Sequence, residues 1–275
     1  MELWQALVLG VIEGLTEFLP VSSTGHLVVA EKLMGLPVDD PAVIGFTAVV
    51  QVGAIAAMVV YFARDIARLA TAWVRGLLYR PARGNPDYRL AWYVIIGSVP
   101  IIVAGFLGRD LVKQSFNLWT VAIGMLLFSA VMAYAERVAT RVRGVADLDL
   151  RDTLIIGAGQ VLSLVPGVSR AGATITVGLL RNLDRVAATR FSFYLAIPAL
   201  VGAGALEVGE VHGSDSVSGG ALVLGTAVSF VVAYASIAWL LRFVARHSLM
   251  PFVWYRVGLS AVLVVLLATG TIGAT

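Results

Sequence analysis

Six long apolar stretches constrain this sequence more than any other feature. They run roughly over 43–62, 90–108, 118–135, 191–209, 219–241 and 257–272. About 20 mostly apolar residues are enough for an α-helix to cross the hydrocarbon core of a bilayer. The 275-residue chain is 59% hydrophobic and 13% charged, whereas soluble domains are roughly one quarter charged. We therefore predict an all-α membrane protein with six transmembrane helices, forming a single polytopic membrane domain over residues 1–275.

Two further apolar regions are interrupted near their middles. Residues 3–34 are broken by proline and serine at 19–23, and residues 153–180 by proline, glycine and serine at 166–169. Each half is too short to cross a bilayer. Irregular backbone at membrane depth is tolerated only where protein buries it or where it lines a wet cavity. We predict two re-entrant helical hairpins whose tips meet at such a cavity.

The charges between the apolar stretches predict how the chain is oriented. Lysine and arginine accumulate in the cytoplasmic loops of membrane proteins. The arginines fall after the first span, after the third span, after the second hairpin and between the last two spans: Arg64, Arg68, Arg75, Arg80, Arg83, Arg89; Arg137, Arg141, Arg143, Arg151; Arg181, Arg185, Arg190; and Arg242, Arg246, Arg256. The opposite loops carry acids: Asp39, Asp40, Glu207, Glu210 and Asp215. We predict a multi-pass protein of the cell membrane whose first hairpin opens to the extracytoplasmic face, and we do not expect nucleic-acid binding.

An internal repeat relates the two interrupted regions. Residues 10–25 align with residues 157–172, and this register pairs Glu13 with Gln160 and Ser22 with Ser169. Each half of the chain, about 1–136 and about 152–272, then holds one hairpin and three spans, so the halves are predicted to have inverted topology. Inverted repeats with broken helices are typical of transporters, whose binding sites lie near the midplane.

The first hairpin carries two carboxylates within its apolar helix. Glu13 and Glu17 are four residues apart and therefore share one helix face. Carboxylates on an amphipathic interfacial helix are the alternative, but an ionisable residue at the membrane centre costs at least about 2.5 kcal/mol and usually marks function. Hard cations prefer carboxylate oxygens. Glu13 and Glu17 are therefore candidate catalytic residues, as ligands of Mg²⁺ or Ca²⁺ or with one of them acting as a base.

Beyond the first tip, hydroxyls and an imidazole follow closely. Ser22 and Ser23 precede His26 by four and three residues, so a helix starting there could bring them face to face. Ser23 is a candidate nucleophile with His26 moving its proton, and His26 as the nucleophile stays open. Ser22 and Thr24 either cap the helix or bind substrate.

The second hairpin carries a cation at the matching place. Arg170 can form paired hydrogen bonds to phosphate oxygens, and the neighbouring helix N-terminus offers free backbone N–H groups. Ser169 and Thr174 are candidate substrate-binding hydroxyls beside it. Gln160 is set aside, because intramembrane amides often hold helices together. The second hairpin is thus predicted to bind an anion.

Two segments of the chain resemble the signature motifs of a known family. EGLTEFLPVSSTGH at 13–26 and PGVSRAGAT at 166–174 are similar to those of the undecaprenyl-diphosphatase family of bacitracin-resistance membrane proteins, and FTAVVQVGAI at 46–55 resembles its first span. The resemblance covers essentially the whole chain. Ala171 stands where the family commonly has serine.

The resemblance implies hydrolysis of a polyprenyl diphosphate, such as undecaprenyl diphosphate, to the monophosphate carrier and inorganic phosphate. This reaction recycles the carrier for cell-envelope glycan synthesis and gives bacitracin resistance. Arg170 would then stabilise the transferring phosphoryl group. A transporter or flippase of the lipid carrier, or of a small solute, is the alternative that the repeat favours. A homodimer is a candidate assembly.

Overall fold

The protein is predominantly helical in the part of the chain that the structure describes. The structure is a computed structural model covering residues 1–108, 115, 117–210 and 218–274, with backbone alone for 205–210. The α-helices within these ranges are α1 Leu3–Thr16, α2 Ser23–Leu33, α3 Pro41–Tyr61, α4 Ala63–Leu78, α5 Pro86–Leu107, α6 Leu118–Val138, α7 Leu150–Gln160, α8 Arg170–Leu180, α9 Arg185–Glu210, α10 Gly219–Val244 and α11 Met250–Ala268. Short 3₁₀ segments occur at Arg80–Gly84, Val145–Asp147 and Val161–Leu164. These same ranges contain no β-strand.

Six of these helices are long and apolar enough to cross a membrane, namely α3, α5, α6, α9, α10 and α11. They coincide with the six apolar stretches of the sequence, so the prediction of an all-α protein with six transmembrane helices is confirmed. Their outward faces carry large apolar side chains, for example Phe106 and Leu127, which are 75% and 65% exposed. A water-soluble surface does not expose so much contiguous apolar area, whereas a lipid-facing one does.

The last helix begins earlier than the sequence predicts. It starts at Met250 with Pro251 in its first turn, where the missing N–H of proline has no intrahelical partner to lose. The assignment of Arg256 to a cytoplasmic loop is therefore wrong, because Arg256 lies inside α11 with a fully buried side chain. The first arginine-rich connection is also not all loop, since most of it forms α4.

Both hairpins turn at a serine with left-handed backbone. Ser22 has φ 76° and Ser169 has φ 71°, and each directly precedes the second helix of its hairpin. Gly167 in the second tip has φ 88°, and a Cβ there would lie 2.2 Å from the carbonyl oxygen of Val121 in α6. Glycine is needed at this position because the tip packs directly on the α6 backbone.

An ion-pair cluster closes the second hairpin where α7 begins and α8 ends. We call Arg143, Asp152 and Arg181 base two. Fully buried Asp152 accepts hydrogen bonds from Arg143 Nη2 at 2.5 Å and from Arg181 Nε at 2.7 Å. Burial alone raises the pKa of the Asp152 carboxyl, but these hydrogen bonds hold that pKa below its ordinary value. Base two thus joins both limbs of the hairpin to the loop that precedes it.

A second buried carboxylate holds neighbouring helix ends beside base two. Glu136, near the end of α6, accepts hydrogen bonds from Arg141 and from Arg185 at the start of α9. It also lies 3.4 Å from the backbone nitrogen of Leu249, which follows α10. The end of α10 is therefore at the same end of the bundle as base two.

The first hairpin closes at the opposite end of the bundle. There Gln5 Nε2 lies 3.5 Å from the carbonyl oxygen of Met34, and we call this pair base one. Next to it, Leu3 lies beside Gly220 at the start of α10. The 26 residues of α10, at about 1.5 Å each, span roughly 39 Å between the two bases. The hairpins therefore approach each other from opposite ends.

These contacts do not test every part of the predicted topology. The inverted relation of the two halves and the re-entrance of the hairpins into lipid stay predictions. Asp215 lies outside the described residues, as do the side chains of Glu207 and Glu210.

Candidate active site

One carboxylate joins the tips of the two hairpins. Glu17 follows α1 in the first tip and is 8% exposed. Its Oε2 accepts a hydrogen bond from Ser23 Oγ at 2.6 Å, and its Oε1 accepts one from Arg170 Nη2 at 2.9 Å. Ser23 belongs to the first hairpin and Arg170 to the second. The fold therefore brings three of the predicted catalytic residues together at a single carboxylate.

Ser23 and Arg170 occupy equivalent positions at the starts of two helices. Each is the first residue of an 11-residue helix and follows a serine of positive φ. The first turn of any helix has N–H groups without intrahelical partners, and it favours negative charge. In α8 the N–H of Gly172 donates to Ser169 Oγ at 3.2 Å. Two helices thus begin where Ser23 and Arg170 bond to Glu17.

His26 contacts different groups from those expected. Its Nδ1 lies 2.7 Å from the backbone carbonyl oxygen of Ser22, and its Nε2 lies 2.6 Å from the hydroxyl of Tyr255 on α11. Ser23 donates to Glu17 rather than to His26. The expected Ser23–His26 pair does not form, because Ser23 Oγ bonds to Glu17 and both ring nitrogens of His26 have other partners.

Arg256 is a buried residue of the site that the sequence analysis did not include. Its side chain is fully buried and donates from Nη1 to the carbonyl oxygens of Pro20 and Val168, both at 3.2 Å. Its Nη2 donates to the carbonyl oxygen of Gly167 at 3.0 Å. The first of these carbonyls belongs to one tip and the other two belong to the other tip. A single guanidinium therefore ties both tips together.

The same guanidinium also connects the tips to α6. Arg256 Nε donates to Ser129 Oγ at 3.1 Å, and Nη2 donates to the carbonyl oxygen of Met125 at 3.3 Å. All five of these acceptors are neutral oxygens. One sequence signal could have found this residue, since apolar residues flank Arg256 on both sides and an ionisable group inside such a run marks a functional or structural site.

Glu13 lies on α1, one turn before Glu17, and is 2% exposed. Carboxylates suit Mg²⁺ or Ca²⁺, yet both oxygens of Glu17 are engaged by Ser23 and Arg170. Within the described ranges, no group of three histidine, cysteine, aspartate or glutamate ligands forms. The two carboxylates fit a divalent ion only if substrate phosphate oxygens complete the ligand set, as is usual for Mg²⁺.

The remaining candidate hydroxyls have varied surroundings. Thr174 Oγ1 donates to the carbonyl oxygen of Arg170 at 2.9 Å and lies 2.5 Å from the hydroxyl of Ser192, so it packs inside the protein. Ser169 caps α8, Ser22 is buried and Thr24 is exposed. Their substrate-binding roles stay predictions. The side chain of Gln160 is fully buried and makes no hydrogen bond with any described residue.

Comparison with known proteins identifies the family. The sequence model of the bacitracin resistance protein BacA matches residues 6–262. A protein of Acidothermus cellulolyticus named undecaprenyl-diphosphatase is 57% identical over 270 residues, covering 98% of each chain. Proteins named undecaprenyl-diphosphatase 1 are 54% identical in Frankia alni, covering 98% of each chain, and 52% identical in Streptomyces coelicolor, covering 98% of this chain and 97% of the relative. With its glutamate, serine and arginine joined between two hairpin tips, this multi-pass membrane protein belongs to the BacA family of bacitracin resistance proteins.

Proposed function

We propose that this chain is a membrane phosphatase that hydrolyses a polyprenyl diphosphate, such as undecaprenyl diphosphate, to the monophosphate and inorganic phosphate. The observation that carries the proposal is the Ser23–Glu17–Arg170 chain of hydrogen bonds. It supports the proposal because the candidate nucleophile Ser23 and the candidate anion-binding residue Arg170 both bond to Glu17, which is the candidate base. The names of the relatives give the substrate class. The biological role would be recycling of the lipid carrier for cell-envelope glycan synthesis, with bacitracin resistance as a consequence.

In the first half of the reaction, Ser23 Oγ attacks the terminal phosphorus. Glu17 Oε2 accepts the serine proton along the hydrogen bond that already exists. The bond from phosphorus to the bridging oxygen breaks, and the polyprenyl monophosphate leaves. A phosphoserine remains on the first hairpin.

Arg170 has a different partner before and during this step. In the resting site its guanidinium is paired with Glu17. Once Glu17 is protonated the ion pair weakens, and the guanidinium is free to bind the oxygens of the transferring phosphoryl group. Positioning and electrostatic stabilisation account for most phosphoryl-transfer catalysis. The first-turn N–H groups of α8 are further donors for the same oxygens.

A divalent cation, Mg²⁺ or Ca²⁺, is part of the proposal. Glu13 would hold it together with diphosphate oxygens, and the ion would neutralise charge on the leaving monophosphate. Glu17 would be the second carboxylate ligand in the alternative in which it does not act as the base. The prenyl chain would lie along apolar helices, which accounts for a phosphatase within the membrane.

We propose that the site opens to the extracytoplasmic face. Support comes from the arginines around base two, at the end of the bundle away from base one. Asp39 and Asp40 lie at the base-one end, just before α3. The single polytopic domain with an inverted repeat and the homodimer remain part of the sequence prediction.

The test is phosphate release by purified protein in detergent, where no second compartment exists. Wild type should release phosphate from undecaprenyl diphosphate, and a chelator should reduce the rate. Arg170→Ala should bind substrate but lose about 10²- to 10³-fold in rate, as when a transition-state donor is removed. Substrate binding without phosphate release by wild type would contradict the phosphatase and favour the transporter or flippase, which the opposed hairpins would also suit.

A further inference from the structure

Tyr255 holds the imidazole of His26 from a helix 229 positions away in the sequence. The Tyr255 hydroxyl lies 2.6 Å from His26 Nε2. The two rings are nearly parallel, with an interplanar angle of 5° and centroids 5.6 Å apart. Tyr255 is 49% exposed, whereas its neighbour Arg256 is fully buried.

Two contacts fix the tautomer of this imidazole. A backbone carbonyl oxygen can only accept, so the carbonyl of Ser22, 2.7 Å from Nδ1, requires the proton on Nδ1. In a neutral ring Nε2 then carries the lone pair and accepts from the Tyr255 hydroxyl. His26 is thus presented with Nε2 as its basic atom.

The site therefore contains two separate groups that can take a proton. Ser23 is bonded to Glu17, and His26 is bonded to Tyr255. Phosphoryl transfer through a serine has two halves, and each half has its own proton to move. Glu17 is in place for the proton of Ser23, which leaves His26 without a role in the first half.

We propose that Tyr255 is a positioning residue for the second half of the reaction, in which His26 Nε2 activates the water that hydrolyses phosphoserine 23. This inference rests on the proposed phosphatase function. The water oxygen bonds to phosphorus while the bond from phosphorus to Ser23 Oγ breaks. One water proton passes to His26 Nε2, and Oγ recovers from Glu17 the proton lost in the first half. The Tyr255 ring is half exposed, so its side chain can turn away from His26 and leave Nε2 free to bind the water.

The tautomer can be tested without any turnover. The chain has three histidines, so ¹⁵N-histidine NMR of the detergent-solubilised protein gives few signals, and the His26→Gln protein assigns one set. Tyr255→Phe keeps the ring and removes the hydroxyl. It should shift the Nε2 signal of His26 and add the Nε2–H tautomer. Tyr134→Phe is the matched control, since Tyr134 is an exposed tyrosine of α6. An unchanged His26 spectrum in Tyr255→Phe would overturn the positioning role.

The kinetic test separates the two halves. With undecaprenyl diphosphate carrying ³²P in its terminal phosphate, rapid-quench experiments follow the labelled enzyme and the released phosphate. Tyr255→Phe should form the phosphoenzyme at the wild-type rate, accumulate it to nearly one per enzyme, and turn over about 10-fold more slowly. KM should not rise. Tyr134→Phe should behave as wild type.

The outcomes distinguish this inference from the proposed function. If wild type is active but Tyr255→Phe accumulates no phosphoenzyme, the inference is wrong and the phosphatase proposal stands. The same holds if Tyr255→Phe slows the first half of the reaction. Wild type that releases no phosphate overturns the phosphatase proposal, and the NMR result then still decides whether Tyr255 sets the tautomer.

Discussion

The two hairpins have nearly the same tip but differ at their bases. In both, a serine of positive φ precedes an 11-residue helix, and the first residue of that helix reaches Glu17. That residue is a hydroxyl in one hairpin, Ser23, and a guanidinium in the other, Arg170. One backbone arrangement therefore presents two complementary chemical groups to one carboxylate.

The bases are held by interactions of different strength. Base two is a buried carboxylate with two arginine partners. Base one is a contact of 3.5 Å between an amide and a carbonyl, at the edge of hydrogen-bond range. Charge-assisted hydrogen bonds are about twice as strong as neutral ones. The base of the second hairpin is thus held by stronger polar interactions than base one.

This difference suits the proposed chemistry. A cation that binds phosphoryl oxygens gains from a fixed position, because preorganised charge needs no rearrangement during the reaction. The first hairpin must deliver Ser23 to phosphorus and later admit water, which requires some freedom. Arg256 limits that freedom at the tips, where it bonds Pro20 on one side and Gly167 and Val168 on the other.

The two tips should respond very differently to the loss of a serine. Ser23→Ala should lower phosphate release by about 10⁴-fold or more, as removal of a nucleophile does. Ser169→Ala, in the second tip, removes an N-cap and should cost about 1 kcal/mol of stability while activity changes much less. Phosphate release and thermal unfolding in detergent measure both. Equal loss of activity in the two variants would mean that the tips are not chemically distinct.

The next effect concerns base two. Asp152→Asn removes the carboxylate of two ion pairs and should lower the free energy of unfolding by about 3 kcal/mol. Because the folded-state pKa of Asp152 is depressed, its stabilisation is present above its ordinary pKa of 3.8 and is lost as the pH falls through the lower folded value. Acid unfolding of wild type and variant should therefore converge below that pH. A constant difference at every pH would show that charge at Asp152 does not stabilise base two.

Arg256→Lys should have a slightly smaller effect. Lysine keeps the charge but cannot reach both tips with a planar fork. A displacement of about 1 Å in an active site can cost about 10²-fold in rate, and we expect a loss of that size in phosphate release. Because the chain has no cysteine, spin labels on cysteines placed at Thr24 and Val165 can report the distance between the tips. If the distribution of distances between the two labels is as narrow in Arg256→Lys as in wild type, Arg256 does not hold the two tips together.

The smallest effect belongs to base one. Gln5→Ala should lower the free energy of unfolding by about 1 kcal/mol or less, because it removes the weak 3.5 Å contact with Met34 and one capping hydrogen bond, 2.9 Å from Glu2 N–H to Gln5 Oε1. Measuring the unfolding of Gln5→Ala and Asp152→Asn in the same detergent compares how much each base contributes to stability. A loss as large as that of Asp152→Asn would show that the first hairpin is anchored as firmly as the second.

Much of the site could be predicted from residue types alone. Glu17, Ser23 and Arg170 stood out because polar and charged groups inside apolar segments are costly and therefore rarely incidental. The pairing of Ser23 with Glu17 could not be predicted, because spacing along a helix does not show which side chain a tip folds back upon. The expected pairing of His26 with Ser23 is absent for the same reason, since its partner Tyr255 is on the last helix.

Arg256 shows a different limit. Arg256 directly precedes the predicted apolar stretch 257–272. From the sequence it is therefore interpreted as a topology signal, and counting the spans places it in a loop. Only the packed structure shows that Arg256 donates hydrogen bonds to five oxygens in the tips and α6.

The amino-acid sequence alone specifies the class of protein, the six spans and the two broken regions, because crossing lipid imposes length and apolarity residue by residue. It also supplied the family motifs. Tertiary structure decided which groups meet: Glu17 between Ser23 and Arg170, His26 with Tyr255, and Arg256 between the tips. Apart from the Ser23–Glu17 pair, these contacts join residues 89 to 236 positions apart. Their geometry depends on how whole helices pack rather than on local pattern.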